Sequence, residues 1–171
     1  TTLQALSTEQ IAAIGTDDLA ALSYTSINAL SSDQIRALTT EQIVELTTSQ
    51  VSNLSTSKLQ VLTTTQIAAF QTDDLNVLST AKLAVFSSDQ LRALQTSQIV
   101  GLNTKHIAAL STTIVSSLTS SQVASLTSDN LNILSTAAIN SLNSNQVAGL
   151  SSTQIAGLNS TKLNALASSA V

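Results

Sequence analysis

The chain has 171 residues, of which 43% are hydrophobic, 2% aromatic and 9% charged, and its net charge is −4. Its core must therefore be built from Leu, Ile, Val and Ala, and the lack of Cys excludes disulfides and thiolate metal sites. Six basic residues against ten acidic ones argue against a nucleic-acid partner, and no apolar run reaches the roughly 18 residues of a membrane span.

An eight-residue repeat, or octad, runs through the whole chain in the form [ST]-[ST]-x-Q-[ILV]-x-x-L. We number its positions 1 to 8, with Ser7 at position 1 and Ile14 at position 8 of the octad 7–14. Position 5 is Ile, Leu or Val from Leu3 to Val171, and position 8 is Leu, Ile or Phe from Leu6 onward. Such regularity predicts a repeat architecture.

The apolar spacing within the octad favours short helices. Residues three apart share one face of a helix but lie on opposite faces of a strand. A continuous helix is also excluded. An eight-residue repeat over two turns needs 4.0 residues per turn, whereas an α-helix has 3.6, so the apolar stripe would drift around the helix. We therefore expect an all-α solenoid, or superhelix, of very short capped helices, one per octad, with an axis filled by Leu and Ile.

Hydroxyl residues mark the start of each helix. Position 2 is Ser or Thr from Thr8 onward except at Tyr24, and we prefer it as the N-cap. A competing register makes Ser7 the N-cap and closes a capping box with Gln10. In the preferred register, Gly or Asn at position 1, as at Gly15, Asn103, Asn143 and Asn159, suits a left-handed residue that ends the preceding helix.

A longer period of 56 residues, or seven octads, sits above the octad, in the segments 7–62, 63–118 and 119–171. If an octad is about 10 Å long, the 56-residue period can correspond to one superhelical turn of seven octads or to two turns of three and a half. Seven octads per turn would enclose a bore too wide for Leu and Ile side chains to fill, whereas three and a half would not. We expect three and a half octads per turn. The domain prediction is one continuous array over 1–171, of about 21 octads, belonging to a longer protein.

Acidic pairs recur at the 56-residue period. Asp17–Asp18 is followed by Asp73–Asp74 and then by Asp129–Asn130. Calcium needs about six to eight oxygen ligands, more than these pairs supply. Carboxylates in the first turn of a helix favour its positive N-terminus. We therefore predict no metal site.

Basic residues occupy two kinds of position. Arg36 and Arg92 follow the core aliphatic residue, whereas Lys58, Lys82 and Lys162 replace the Gln of position 4. We interpret all of them as solvated surface groups.

Three other residues interrupt the pattern. His106 takes position 4 as the single histidine, and we interpret it as a surface substitution because a triad or metal site needs further ligands. Ile114, at the same position, is predicted to expose an apolar spot, and Tyr24 breaks the hydroxyl row. With no nucleophile, base and oxyanion donor in view, we predict no catalytic residue, no cofactor and no enzymatic activity.

The octads TTEQIVEL, TTTQIAAF and SSTQIAGL resemble the tandem octads of very large bacterial surface or secreted proteins, often labelled adhesins or haem-utilisation proteins. The resemblance covers all 171 residues and implies an extracellular or cell-surface array. We expect a stalk, spacer or scaffold. The alternative is a binding module whose Ser, Thr and Asn rows contact glycans, a surface or ice. Self-association through repeated weak contacts is a further expectation.

Overall fold

The chain is all helical in a computed structural model, which describes residues 2–169. A short 3₁₀ helix, Thr2–Ala5, precedes twenty α-helices, and the described range contains no strand. The α-helices are α1 (Thr8–Ala12), α2 (Thr16–Ala21), α3 (Tyr24–Ala29), α4 (Ser32–Ala37), α5 (Thr40–Val44), α6 (Thr48–Asn53), α7 (Thr56–Val61), α8 (Thr64–Ala69), α9 (Thr72–Val77), α10 (Thr80–Leu83), α11 (Ser88–Ala93), α12 (Thr96–Val100), α13 (Thr104–Ala108), α14 (Thr112–Ser117), α15 (Ser120–Ser125), α16 (Ser128–Ile133), α17 (Thr136–Asn140), α18 (Ser144–Ala148), α19 (Ser152–Ala156) and α20 (Ser160–Ser169).

Each helix begins at position 2 of its octad, which settles the choice between the two cap registers. The N-cap is position 1, and the preferred assignment to Thr8 was wrong. Ser7 accepts a hydrogen bond from the Gln10 N–H, and the Gln10 side chain accepts one from the Ser7 N–H. This capping box satisfies two donors at the helix start, whereas a hydroxyl at position 2 would satisfy one.

The joints between helices are extended. At the end of α3, Leu30 has φ −58° and ψ 146°, and Ser31 continues with φ −68° and ψ 167°. No residue in the described range has a positive φ, so the left-handed residue predicted at position 1 was wrong. Asn103 and Asn143 act as N-caps instead. Leu30 and Ser31 therefore join α3 to α4 through extended backbone, without a left-handed residue.

The core consists of the residues at positions 5 and 8. Ile11, Ile27, Ile43 and Leu59 at position 5 have no exposed surface, and position 8 is buried from Leu30 to Leu142. A helix of five or six residues is unstable alone, because forming its first turn costs more free energy than its few hydrogen bonds return. Burial of an Ile or Leu side chain stabilises by about 1.5–3 kcal/mol, so packing between octads is what holds the helices.

The helices group into two compact units, Thr1–Ala93 and Leu94–Val171. In each unit a helix packs on the helix three further along, as α1 does on α4 and α12 on α15. Hydrogen bonds within each unit join residues 25 to 31 apart, centred on 28 residues. This separation equals three and a half octads, the predicted number per turn. The prediction of one continuous array remains a prediction.

Candidate functional site: a buried glutamine ladder

Glutamine at position 4 is buried from Gln34 onward, although the side chain is polar. The members, which we call the glutamine ladder, are between 1% and 7% exposed. They are Gln34, Gln42, Gln50, Gln66, Gln90, Gln98, Gln122, Gln146 and Gln154. A buried amide stabilises a fold only when its donors and its acceptor are paired, so the surroundings of these side chains decide their role.

Gln42 illustrates the pairing. Its Oε1 accepts from the Thr39 N–H at 2.9 Å, which closes the capping box of α5. Its Nε2 donates to the carbonyl oxygens of Ile11, at 3.0 Å, and Ile14, at 2.8 Å. Those carbonyls lie at the end of α1, where the last groups of a helix lack partners within the helix. One side chain thus caps its own helix start and the end of a helix from the preceding turn.

The same arrangement recurs in both units. In the first unit, Gln66 donates to the carbonyls of Ile35 and Leu38, each at 2.8 Å. In the second unit, Gln146 donates to those of Val115, at 2.9 Å, and Leu118, at 2.7 Å. The separations are 31 and 28 residues in each case. The ladder therefore connects successive turns of each unit through its interior.

Lysine at position 4 takes over part of this role, so its interpretation as a solvated group was wrong. Lys58 Nζ donates to the Leu30 carbonyl, and Lys162 Nζ donates to that of Leu134 at 2.5 Å. Both pairs are 28 residues apart, like the glutamine bonds. Lys162 is only 8% exposed. A long aliphatic stem allows a lysine to be partly buried while its ammonium donates to a carbonyl.

Two asparagines at position 6, for which the sequence pattern carried no prediction, accept from the N-cap N–H groups of the octads that contain Lys58 and Lys162. Asn28 Oδ1 accepts from the Ser55 N–H at 2.8 Å, and its Nδ2 donates to the Asn53 carbonyl at 2.9 Å. Asn132 bonds in the same way to the Asn159 N–H, at 3.0 Å, and the Gly157 carbonyl, at 2.9 Å. We call this pair of bonds the asparagine clasp.

His106 and Ile114 are also buried, at 4% and 5% exposure. The predictions of a surface histidine and of an exposed apolar spot at Ile114 were therefore wrong. From Gln34 onward position 4 is buried or half-buried, whichever residue occupies it, whereas Gln10 and Asp18 are exposed. Tyr24 is 45% exposed and starts α3, where Ser23 is the N-cap.

The acidic pairs divide between surface and interior. Asp17, Asp18 and Asp73 are exposed, whereas Asp74 at position 4 is only 3% exposed. Asp74 Oδ2 accepts from the Gln71 N–H at 3.1 Å. Burial raises the pKa of the Asp74 carboxyl, and the Gln71 hydrogen bond opposes that shift. Within residues 2–169, no group of three or more His, Asp or Glu side chains is arranged to hold a metal ion.

The arginines lie on the surface as predicted. Arg36 pairs with Asp33 at 3.2 Å and Arg92 with Asp89 at 3.5 Å, each within one helix. Exposed pairs of this kind contribute about 0.3–0.5 kcal/mol at most, so they add little to the fold.

None of the described helices combines the length and the apolar character that a membrane crossing requires. One protein family, the ALTTAQ repeat, matches residues 11–48, 67–104 and 127–160. No curated protein and no solved structure matches the chain.

Proposed function

Because the chain belongs to the ALTTAQ repeat family, we propose that it is a non-enzymatic structural segment. In this proposal it acts as a stalk, spacer or scaffold of a large extracellular bacterial protein. The observation that carries the proposal is how the consensus side chains are used. The hydroxyl at position 1 caps, the glutamine joins turns, and positions 5 and 8 fill the core.

A spacer must gain length with each added repeat. Within each unit, the cross-turn bonds of the ladder and the packing of helices on their third successors, as of α1 on α4 and α12 on α15, link one turn to the next, as in other solenoids. Octads can then be added without rearranging those already present. An extracellular location would agree with a fold that needs no Cys and no reducing compartment.

Small-angle X-ray scattering tests the spacer role. The chain and a tandem duplicate of it would be compared by their maximum dimension. A spacer gains length in proportion to repeat number, so the dimension should roughly double. A compact globular packing would grow only about 1.3-fold, and that result would contradict the proposal.

The alternative, an adhesive or binding module, is favoured by one observation. Positions 1 to 3 are all exposed hydroxyl residues in the octads that begin at Thr47, Ser111, Thr119 and Ser151. Binding to glycan arrays or ice, or self-association by light scattering, would support this function. The matched variant Ser49→Ala/Thr113→Ala/Ser121→Ala/Thr153→Ala removes the hydroxyls at position 3 of these octads and leaves the caps intact. Binding that survives this change would point away from the hydroxyl rows.

A further inference from the structure

The asparagine clasp and the residue at position 4 vary together along the chain. The residue thirty places after a position 6 stands at position 4 of a later octad. Wherever position 6 is asparagine and that later residue lies within the sequence, the later residue is not glutamine. The pairs are Asn28 with Lys58, Asn76 with His106, Asn132 with Lys162 and Asn140 with Ala170. None of the nine ladder glutamines has asparagine thirty residues before it.

The hydrogen bonds explain this association. Glutamine at position 4 performs two tasks, since its oxygen accepts from the N-cap N–H and its nitrogen donates to the preceding turn. Lysine can only donate. In the octad of Lys58, the Ser55 N–H is accepted by Asn28, while Lys58 donates to Leu30. Asn28 and Lys58, from adjacent turns, thus together make the two kinds of hydrogen bond that one glutamine makes elsewhere.

We propose that the asparagine clasp is a register-determining contact, which specifies the turn that a glutamine-free octad packs on. Near-identical octads are prone to mispairing, because a shift by one repeat preserves the core pattern. A shift by one octad would place Asn28 beside the octad of Gln66, where the Thr63 N–H already donates to the Gln66 side-chain oxygen. It would leave Lys58 without its asparagine. The inference concerns pairing between turns and holds whatever the segment projects or binds.

Lys82 supplies a natural comparison. The residue thirty positions before it is Ser52, whose hydroxyl bonds to the Ser49 carbonyl at 3.1 Å within α6. Lys82 Nζ then donates to the Ser52 carbonyl, 30 residues away, and not at the 28-residue separation of Lys58 and Lys162. The lysine that lacks a clasp therefore has a different partner.

The decisive experiment installs the clasp at residue 52. In Ser52→Asn, the new amide should accept from the Ser79 N–H and donate to the Val77 carbonyl. We expect hydrogen exchange of the Ser79 amide to slow by up to about tenfold, the effect of one hydrogen bond, and the melting temperature to rise. In Lys82→Gln, the glutamine would occupy the Ser79 N–H, so the added Ser52→Asn change should have little effect.

Ser116→Asn is the matched control. Ser116 also bonds through its hydroxyl within its own helix, to the Thr113 carbonyl at 3.1 Å. Thirty residues later stands Gln146, which already accepts from the Asn143 N–H at 2.8 Å. This variant should not gain protection. Equal stabilisation by Ser116→Asn, or unchanged exchange at Ser79 in Ser52→Asn, would overturn the proposal.

Discussion

The side chain of Gln42 donates to the carbonyl oxygen of Ile14, 28 residues earlier, at 2.8 Å. This bond joins two successive turns of the first unit through its interior. Since Gln42 also accepts from the Thr39 N–H, its amide is bonded at both ends and fixes the position of α5 relative to α1.

Replacing this amide tests the ladder directly. Gln42→Leu should lower the free energy of unfolding by about 2–4 kcal/mol, because the Thr39 N–H loses its acceptor and the Ile14 carbonyl loses its side-chain donor. The Ile11 carbonyl, which also loses the Gln42 amide, keeps its bond from the Ile14 N–H. Chemical denaturation measures this change. Gln10→Leu is the control, since Gln10 is exposed and its amide bonds only within its own octad, and its cost should stay below about 1 kcal/mol. Equal costs would show that the cross-turn bonds contribute nothing.

The cap register leads to a second pair of variants. Ser31 Oγ accepts from the Gln34 N–H at 3.2 Å. Ser32 is the first residue of α4, and it is exposed. Ser31→Ala should cost about 1 kcal/mol of unfolding free energy. Ser32→Ala should change it by less than about 0.5 kcal/mol. Thermal melts followed by circular dichroism distinguish the two, and the reverse order would restore position 2 as the N-cap.

Close approach between turns explains small residues at position 7. A Cβ atom added to Gly157 would lie 2.6 Å from the Cβ of Ser128, whereas one added to Gly149 would lie 3.5 Å from that of Ser120. Gly157→Ala should therefore destabilise by about 1–3 kcal/mol through overpacking. Gly149→Ala should be neutral or slightly stabilising, because alanine lowers the entropy of the unfolded chain. Unfolding of both variants in urea provides the comparison, and similar midpoints would argue against the predicted clash.

Asp74 predicts a pH-dependent contribution. Because burial raises the pKa of this carboxyl in the folded chain, the folded state binds the proton more tightly than the unfolded state. Its contribution to stability is complete below the ordinary value of 3.8 and is lost as pH rises through the raised pKa. Asp74→Asn should thus be more stable than the parent at pH 7.

The advantage of Asp74→Asn should shrink as the pH falls. Its new amide oxygen can still accept from the Gln71 N–H, as Asn130 does from the Thr127 N–H at 3.1 Å. Unfolding free energies from pH 3 to pH 7 measure the trend. Asp73→Asn removes the same charge from an exposed neighbour and should give a smaller gain. A difference between parent and Asp74→Asn that does not vary with pH would contradict this assignment.

Local chemistry left the helix boundaries ambiguous. Both Ser7 and Thr8 carry hydroxyls that can cap, and the sequence analysis favoured Thr8 because its position varies less. The structure selects Ser7 because only that register lets Gln10 return a bond to the N-cap. The reciprocal bond depends on side-chain geometry at the helix start, which composition at a single position does not reveal.

The sequence by itself determined the octad, the short helices and the aliphatic core, because apolar spacing reflects contacts within one helix face. It also indicated the three and a half octads per turn from the length of the octad and the size of Leu and Ile. Only the tertiary structure placed Gln42 and His106 in the interior and brought the half-buried Lys58 to a carbonyl of the preceding turn. Polar residues are expected at the surface. Gln42 can be buried, and Lys58 half-buried, because superhelical packing brings a backbone carbonyl 28 residues earlier within reach of each side chain.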